Sequence, residues 1–304
     1  MSFLTKYFDI EYSDTEEAAV CCPFPHYTST GLQYYENNPS AHVNIEEGLL
    51  HCQVCGEKGN EVQMIQKLLG CDKNTANKIR LAFDNQEEVD EWDQEELTEE
   101  TITKLKSFGI TDNVIEELKI KTAPHTDDVM CFPVLMYDHL LDIRQYNPGH
   151  EPKIKSRYNS PSGLIIPFDV WKETEPERIT LICAGEKDMA VARSHGFNAI
   201  TITGGEMKTP AQINFFKDRH VAIVYDNDNT GINGARKLAK ELVEIAKFVK
   251  VVTKFNENME EKEDITDYFN KYNKTREDLI ECIENTEVYT KETAEEEENQ
   301  TYKI

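Results

Sequence analysis

Apolar runs alternate with amphipathic segments through the second half of the chain, from Arg178 onward. Short β-branched runs predict buried strands at residues 179–184, 199–203, 221–225 and 249–253. Between them, apolar residues recur at helical spacing and predict helices at residues 187–195, 209–216 and 232–247. Strands that alternate with helices in this way predict an α/β fold, in which helices flank a parallel sheet.

The first half of the chain has a more mixed pattern. A helix is predicted to begin at Thr98, with acidic residues in its first turn, and to end at Gly109. Helical spacing predicts further helices at residues 61–69, 74–83 and 115–118. Apolar runs predict strands at residues 129–135, 140–146 and 163–168.

Length and composition set the class of protein. The 304 residues suffice for about two domains with connectors. A hydrophobic content of 39% allows a packed core, and a charged content of 30% is typical of soluble proteins. No apolar run reaches the roughly 18 residues that a membrane span needs. The N-terminus carries acidic residues and lacks the apolar core of a secretory signal, so we expect a cytoplasmic protein without a membrane partner.

The formal net charge of −24 argues against broad nonspecific binding to nucleic acid. Residues 84–100 hold ten acidic residues and no basic one, and residues 287–304 hold six acidic residues and two lysines. We interpret these segments as a solvated linker and an acidic tail. A tail that docks on a basic partner or competes with nucleic acid is the alternative.

A pair of aspartates, Asp226 and Asp228, directly follows the predicted strand at residues 221–225. Residues i and i+2 of a strand point to the same side, and open α/β sheets bind ligands at the carboxyl ends of their strands. Two close carboxylates repel unless a cation lies between them, and Mg²⁺ takes such ligands together with substrate phosphates. We therefore predict a Mg²⁺ or Mn²⁺ site here, with a turn or helix cap as the alternative.

Four of the eight cysteines fall within the first 55 residues, and clustered cysteines in a cytosolic chain are typical of metal sites. Cys22 and His26 have the spacing C-x3-H, and Cys52 and Cys55 have the spacing C-x2-C. Two such pairs can close a tetrahedral zinc site. Unliganded cysteines in a small core are the alternative. The spacing also leaves other ligands open: Cys21 for Cys22, and His42 or His51 for His26.

The two zinc pairs resemble the zinc ribbon of replicative DNA primases, whose pattern is Cys-Pro-Phe-His followed by His-Cys-Phe-Gly-Cys-Gly-x-x-Gly-Asp. This chain has Cys-Pro-Phe-Pro-His at residues 22–26 and His-Cys-Gln-Val-Cys-Gly-Glu-Lys-Gly-Asn at residues 51–60. It therefore has one inserted residue, and Gln53 stands where the pattern has Phe.

The second half is similar to the Toprim catalytic domain of the same family. Three segments stand in that family's order: Ala-Gly-Glu-Lys-Asp-Met-Ala at residues 184–190, Asp-Asn-Asp-x-x-Gly at 226–231 and Glu-Asp-Ile-Thr-Asp-Tyr-Phe at 263–269. The segment at residues 164–171 resembles the primase half of phage primase–helicases. The resemblance extends from about Cys21 to Ile283.

This resemblance implies a division of the chain and a function. The implied domains are a template-binding zinc ribbon at residues 1–83, an acidic linker at 84–100, an N-terminal subdomain of the primase core at 101–177, a Toprim domain at 178–286 and an acidic tail at 287–304. The implied enzyme is a DNA primase, a DNA-directed RNA polymerase that makes short RNA primers and is encoded by a phage or mobile element. Its cofactors would be structural Zn²⁺ and catalytic Mg²⁺ or Mn²⁺.

The implied partners are a single-stranded DNA template and ribonucleoside triphosphates. The chain has no Gly-x-x-x-x-Gly-Lys-Ser/Thr loop of an NTP-driven motor, so we expect the replicative helicase to be a separate protein. Asp264 would be a further Mg²⁺ ligand, although a helix-capping role is its alternative.

One position departs from the Toprim pattern, which has Glu-Gly-x-x-Asp after the first strand. Ala184 stands where that pattern has its catalytic glutamate. We expect Glu186, two residues later, to supply the acid. Asp188 is the next choice, and a solvated Glu186 beside a degenerate site is the alternative.

A basic cluster lies between the two halves of the chain. It is interleaved with Tyr146 and Tyr158, and bases with aromatic side chains suit phosphates and stacked bases. The resemblance supports binding of the nucleotide triphosphate here, with a Lys- and Arg-protected sheet edge as the alternative. The cluster consists of Arg144, Lys153, Lys155 and Arg157.

Two other functions stay open. The first is a non-catalytic module that binds single-stranded DNA and a helicase, its Toprim site disabled by Ala184. The second is a Toprim nuclease, against which the primase-type zinc ribbon argues.

Overall fold

Three β-sheets and one short hairpin lie within residues 2–10, 16–84, 95–253 and 259–301, which the computed structural model of this chain describes. The strands are β1 Glu17–Val20, β2 His26–Tyr27, β3 Gln33–Tyr34, β4 Ala41–Asn44, β5 Leu49–Cys52, β6 Lys58–Asn60, β7 Lys121–Thr122, β8 Met130–Met136, β9 His139–Tyr146, β10 Ile154–Lys155, β11 Ile165–Ile166, β12 Thr180–Cys183, β13 Asn198–Ile202, β14 His220–Val224, β15 Phe248–Val251 and β16 Val288–Tyr289. The helices are α1 Phe3–Tyr7, α2 Glu61–Leu69, α3 Lys73–Asp84, α4 Glu99–Ser107, α5 Asp112–Glu117, α6 Phe168–Lys172, α7 Glu186–Ser194, α8 Asn229–Leu242, α9 Ile265–Asn270, α10 Arg276–Asn285 and α11 Lys291–Thr301, with a 3-10 turn at Ile213–Phe216. Over these ranges, every helix is too short or too polar to cross a bilayer.

The N-terminal unit is a small antiparallel sheet followed by two helices. The sheet has the order β1-β4-β5-β6, and the hairpin β2-β3 lies beside it. Helix α2 begins with a capping box, because the Asn60 side chain accepts from the Gln63 amide while the Gln63 side chain accepts from the Asn60 amide. The zinc-ribbon part of the predicted fold is confirmed.

The middle unit is an antiparallel sheet with the order β10-β9-β8-β7. Its central hairpin turns at Tyr137 and Asp138, both with positive φ. The Asp169 carboxylate accepts from both of their amides, at 2.6 and 2.9 Å. This interaction joins the hairpin to helix α6, where the chain enters the third unit.

The third unit is a six-stranded sheet with the order β11-β13-β12-β14-β15-β16. The four central strands are parallel, and β11 and β16 are antiparallel edges. Strands β12 and β13 are buried throughout, as expected for a parallel sheet covered by helices. The predicted α/β fold class, with its flanking helices, is confirmed.

Several predicted elements differ from the structure in their bounds: the helix predicted at residues 232–247 is α8, Asn229–Leu242, and the strand predicted at 163–168 is β11, Ile165–Ile166. Two predictions differ more deeply. The helix predicted at residues 209–216 shrinks to the 3-10 turn, because the preceding residues bond to the β11 segment: the Ala211 amide donates to the Gly163 carbonyl, and the Gln212 side chain accepts from the Ile165 amide. The solvated tail predicted at residues 287–304 is wrong in its first part, because β16 pairs with β15 and α11 follows. Residues 85–94 of the predicted acidic linker lie outside the described residues.

The N-terminal unit packs on both other units. Phe83 at the end of α3 stacks on His139 of β9, with ring centroids 4.5 Å apart. At the end of α2, the Asn214 side chain donates to the carbonyls of Lys67 and Leu68, which the helix itself leaves unpaired. Gly70 fits here because it has a φ of +88° and because a Cβ on it would lie 2.6 Å from Ile213 Cγ2.

Candidate functional site

The four predicted zinc ligands meet at one point of the N-terminal unit. Cys22, His26, Cys52 and Cys55 each offer a ligand atom, and all four atoms lie within 4.8 Å of one another. The Sγ atoms of Cys22 and Cys55 are 3.7 Å apart, and Cys52 Sγ is 3.6 Å from His26 Nε2. This is the donor set of a closed structural zinc site.

Neighbouring polar groups favour metal binding by His26 and Cys52. Glu36 Oε1 lies 2.9 Å from His26 Nδ1, and a carboxylate in that position favours the tautomer that leaves Nε2 for the ion. Burial raises the pKa of the Cys52 thiol, but hydrogen bonds from the Ser40 hydroxyl and from the Cys55 and Val54 amides outweigh it and bring that pKa to about 6. A thiol that ionises easily is a ready zinc ligand.

The alternative zinc ligands, Cys21, His42 and His51, lie outside the cluster. Cys21 is exposed, whereas Cys22 is buried. His42 and His51 are cross-strand partners on β4 and β5, and neither belongs to the four-residue cluster. The structure therefore supports the set Cys22, His26, Cys52 and Cys55.

A second cluster, of carboxylates, lies at the carboxyl end of the parallel strands. Asp226 follows β14, and Asp188 and Asp264 reach the same place from α7 and from the start of α9. Burial and, in decreasing order, the charges of Asp188, Glu206, Asp264 and Asp228 together raise the pKa of Asp226 to about 8. Neighbouring carboxylates that repel one another in this way are stabilised by a cation.

Lys187 is the counter-cation of this cluster. Its Nζ lies 2.7 Å from Asp264 Oδ2 and 3.3 Å from Asp188 Oδ1. Asp264 is also the N-cap of α9, since its Oδ1 accepts from the Asp267 amide. Both oxygens of Asp264 are therefore engaged, and its predicted role as a Mg²⁺ ligand stays a prediction beside the capping role.

Asp188 is buried, and its Oδ1 accepts from the Thr266 hydroxyl at 2.6 Å. Burial raises its pKa to about 6, although Lys187 acts in the opposite direction. Asp228 serves as the N-cap of α8, because its Oδ1 accepts from the Gly231 amide at 2.8 Å. A free Oδ2 on a capping aspartate can still face a ligand, so capping and metal binding are compatible there.

Glu186 forms an ion pair with Arg144. It is 3% exposed, and its Oε1 lies 2.6 Å from Arg144 Nε. Arg144 also donates to the Ser156 hydroxyl. Glu186 thus joins the middle sheet to the start of α7, and its predicted role as the catalytic acid stays a prediction.

The other predicted basic residues, Lys153, Lys155 and Arg157, lie on strand β10 or directly beside it. Strand β10 pairs with β9, with Ile154 opposite Tyr146. Burial raises the pKa of the Tyr146 phenol, and the charges of Lys187, Asp188 and Asp264 act on it as well. The end of β9 is therefore close to the carboxylates. Exposed side chains follow on this edge: Lys153, Lys155 and Tyr158.

The sequence reasoning assigned no ion pair to Lys187 and did not single out Glu206. Lys187 was visible inside the Toprim-like segment, but its ion pairs depend on where α9 packs. Glu206 stands in the Thr-Gly-Gly-Glu loop after β13 and belongs to none of the matched motifs. Glycines that allow a close approach are the only sequence signal for such a loop.

The donor types fit two different metals. Sulfur and imidazole suit zinc in the N-terminal unit. Carboxylate oxygens suit Mg²⁺ or Mn²⁺, and the role of Asp226 and Asp228 as ligands of such an ion stays a prediction.

Comparison with known proteins agrees with this architecture. Residues 178–253 match the Toprim domain family. No curated protein sequence matches the chain. Among solved structures, the zinc-binding and RNA polymerase domains of Aquifex aeolicus primase align with a TM-score of 0.54 and 16% identity, over 94% of this chain and 82% of that chain.

Two further structures align at similar levels. The DnaG primase catalytic domain bound to ssDNA has a TM-score of 0.51 and 14% identity, over 75% of this chain and 83% of that chain. The DnaG catalytic core has a TM-score of 0.50 and 14% identity, over 71% of this chain and 80% of that chain. At these identities the likeness establishes the fold.

Proposed function

Because this chain combines a Toprim domain with the zinc-ribbon and polymerase fold of DnaG-type primases, we propose that it is a DNA primase, a nucleotidyltransferase that makes short RNA primers on single-stranded DNA. The observation that carries the proposal is the carboxylate cluster at the carboxyl end of the Toprim sheet, in the same chain as a four-ligand zinc cluster. We also propose a phage or mobile-element origin, on the sequence resemblance alone, and a cytoplasmic location, on the pattern of apolar residues.

In the proposed reaction, a ribose 3′-hydroxyl attacks the α-phosphate of the next nucleotide and pyrophosphate leaves. A divalent cation, when bound, lowers the pKa of the attacking hydroxyl and neutralises charge on the phosphates. Asp226 and Asp228 supply its oxygen ligands. Lys187 pairs with both Asp188 and Asp264 and offsets one of their two negative charges, which reduces their repulsion of the incoming phosphates.

The triphosphate would be held by the basic cluster on the middle unit. Lys153 and Lys155 are exposed, and Arg157 is partly buried where its amide donates to Asp142. Arg144 is 11% exposed and paired with Glu186, so we assign it to the edge of the nucleotide site. Tyr158 is fully exposed next to this cluster and offers a face on which a base can stack.

The zinc ribbon would contact the template. Its hairpin β2-β3 and the residue after it expose three aromatic rings, of Tyr27, Tyr34 and Tyr35. Aromatic faces bind single-stranded bases with little sequence preference. We propose single-stranded DNA as the ligand of this surface and a separate replicative helicase as a partner.

A second candidate function rests on Ala184. If the site lacks an essential acid, the chain would bind single-stranded DNA and a helicase without making primers. The ion pair of Asp264 with Lys187 favours this alternative, because it occupies a carboxylate that the sequence assigns to metal.

The deciding experiment incubates the full chain, loaded with zinc, with ribonucleoside triphosphates, Mn²⁺ or Mg²⁺ and random single-stranded DNA. We expect short, template-dependent RNA products, and we expect Asp226→Ala to remove them. The control Asp112→Asn changes an exposed aspartate on α5 and should keep full activity. Binding of DNA by the wild type without any RNA product would favour the non-catalytic module.

A further inference from the structure

The end of strand β12 lacks a carboxylate. The strand ends at Cys183, and Ala184 follows. Strand β12 pairs with β13 on one side and with β14 on the other. A side chain that reaches from the loop after β13 to the loop after β14 therefore passes the end of β12, which Ala184 follows.

Glu206 makes that crossing. It lies in the loop after β13, and its Oε1 is 3.3 Å from the amide nitrogen of Asp226, which follows β14. Its carboxylate therefore lies beside the backbone that carries the metal-binding aspartates. Charge links these groups as well, because Glu206 acts on the pKa of Asp226, and Asp228 acts on that of Glu206.

Two glycines of helix α8 border Glu206. A Cβ on Gly231 would lie 2.3 Å from the Asp226 carbonyl oxygen and 2.9 Å from Glu206 Oε1, and a Cβ on Gly234 would lie 2.9 Å from Glu206 Cβ and 2.7 Å from its carbonyl oxygen. Each of these contacts is closer than real Cβ atoms approach. The first turns of α8 therefore fit this loop and this carboxylate.

Glu186 is less suited to the same role. Its carboxylate is buried against Arg144, and moving it toward Asp226 would leave the guanidinium without that partner. Separating a buried ion pair in this way is costly. Glu206 needs no such rearrangement.

We infer that Glu206 supplies, from the loop of the neighbouring strand, the metal-facing carboxylate that Ala184 lacks. Glu206 and the Asp226–Asp228 pair then form one cation site at the end of the sheet. The inference rests on the proposed metal-dependent function of this site, but it concerns metal binding and can be tested without nucleotide.

The test is a Mn²⁺ titration of the full, zinc-loaded chain, followed by the electron paramagnetic resonance signal of free Mn²⁺. We expect Glu206→Gln to weaken Mn²⁺ binding by about tenfold or more and to lower RNA synthesis. The double variant Ala184→Glu/Glu206→Gln places a carboxylate after β12 instead, and it should recover both Mn²⁺ binding and RNA synthesis. Glu186→Gln should leave Mn²⁺ binding unchanged, and the exposed Glu173→Gln should leave both binding and synthesis unchanged.

The outcomes separate the inference from the proposed function. Normal Mn²⁺ binding by Glu206→Gln, or no recovery in a folded double variant, would overturn the inference. Loss of Mn²⁺ binding in Glu186→Gln alone would overturn it in favour of the acid nearer in sequence. Glu206-dependent Mn²⁺ binding without any RNA product would uphold the inference and defeat the primase proposal. Thermal unfolding and zinc content of each variant verify that the fold is intact.

Discussion

Asp226 shows how a single residue can be unfavourable for folding and still suit a metal site. Burial and four neighbouring acids raise its pKa to about 8. Near neutral pH the metal-free protein must therefore either protonate this carboxyl or tolerate its charge among other negative charges. A bound divalent cation removes the conflict, so metal binding and folding stability are linked here.

Replacing Asp226 with Asn should stabilise the metal-free protein. The folded-state pKa of this group lies above its unfolded value, so its contribution to stability is present below about pH 4 and lost as the pH rises through about 8. In zinc-loaded protein without Mg²⁺, the free energy of unfolding of Asp226→Asn should equal that of the wild type near pH 4. Above pH 4 the variant should become progressively more stable than the wild type. The difference should reach on the order of 2 kcal/mol near pH 8, after allowance for solvent screening.

Thermal unfolding across this pH range measures the difference. Asp112→Asn, at an exposed position, is the control. A constant difference between Asp226→Asn and wild type across the range would contradict the assigned pKa. The variant should also lose the stabilisation that Mg²⁺ gives the wild type.

At the scale of elements, the zinc ribbon has little core of its own. Its sheet strands are four residues or fewer, and three of its predicted zinc ligands, Cys22, His26 and Cys52, are among its buried residues. Small modules of this kind obtain much of their folding free energy from the metal. Helices α2 and α3 differ, because they pack on the other two units.

Cys52→Ser should therefore remove zinc and unfold residues near 20–60, while α2 and the Toprim sheet stay folded. Hydrogen exchange with mass spectrometry would show loss of protection confined to residues near 20–60, and elemental analysis would show loss of zinc. Cys21→Ser is the matched control, since Cys21 is exposed beside a ligand, and it should keep both. Unfolding that extends through Glu61–Leu69 would contradict this boundary.

The sequence predicted secondary structure best in strands that are buried on both faces of the sheet. Periodicity placed the central strands and α7 to within one residue or so, because a parallel sheet covered on both faces produces unbroken apolar runs. It missed β16, which is short and lies in an acidic segment, and whose pairing partner β15 is far along the chain. It also placed a helix at residues 209–216, where contacts with the β11 segment prevail over local preference.

The residues of the site also differ in how well the sequence predicts them. The zinc ligands and the Asp226–Asp228 pair could be read from local spacing. Lys187 and Glu206 could not be assigned, because their partners are 77 and 20 residues away. Such contacts depend on how loops meet at the end of the sheet.

At the scale of the whole molecule, the docking of the N-terminal unit depends on Gly70. An alanine there would meet two costs: a left-handed backbone and a contact of 2.6 Å with Ile213. We expect Gly70→Ala to lower the free energy of unfolding by about 2–3 kcal/mol.

Gly149→Ala separates these two costs. Gly149 has a φ of +93° and open space around it, so its alanine variant should lose only about 1 kcal/mol. Chemical denaturation of both variants measures the difference. Equal losses would show that the docking contact contributes nothing.

The net charge of −24 makes DNA binding depend on a few lysines. If Lys153 and Lys155, besides holding the triphosphate, each contact a template phosphate, the double alanine variant should reduce the slope of log K against log salt by about 1.4 for single-stranded DNA. Lys247→Ala is the control, since Lys247 is exposed just before β15, at the opposite end of the sheet from the carboxylates. Fluorescence anisotropy at several salt concentrations gives both slopes, and an unchanged slope in the double variant would remove these lysines from the DNA site.

The contacts of Asn214 and Gly70 with the end of α2 also bear on how activity should scale with concentration. A zinc ribbon held against its own Toprim domain presents template and carboxylates within one molecule. The step that joins them is then unimolecular. The rate of priming per molecule should stay constant on dilution, whereas a ribbon that served a second copy would lose its effect as molecules moved apart.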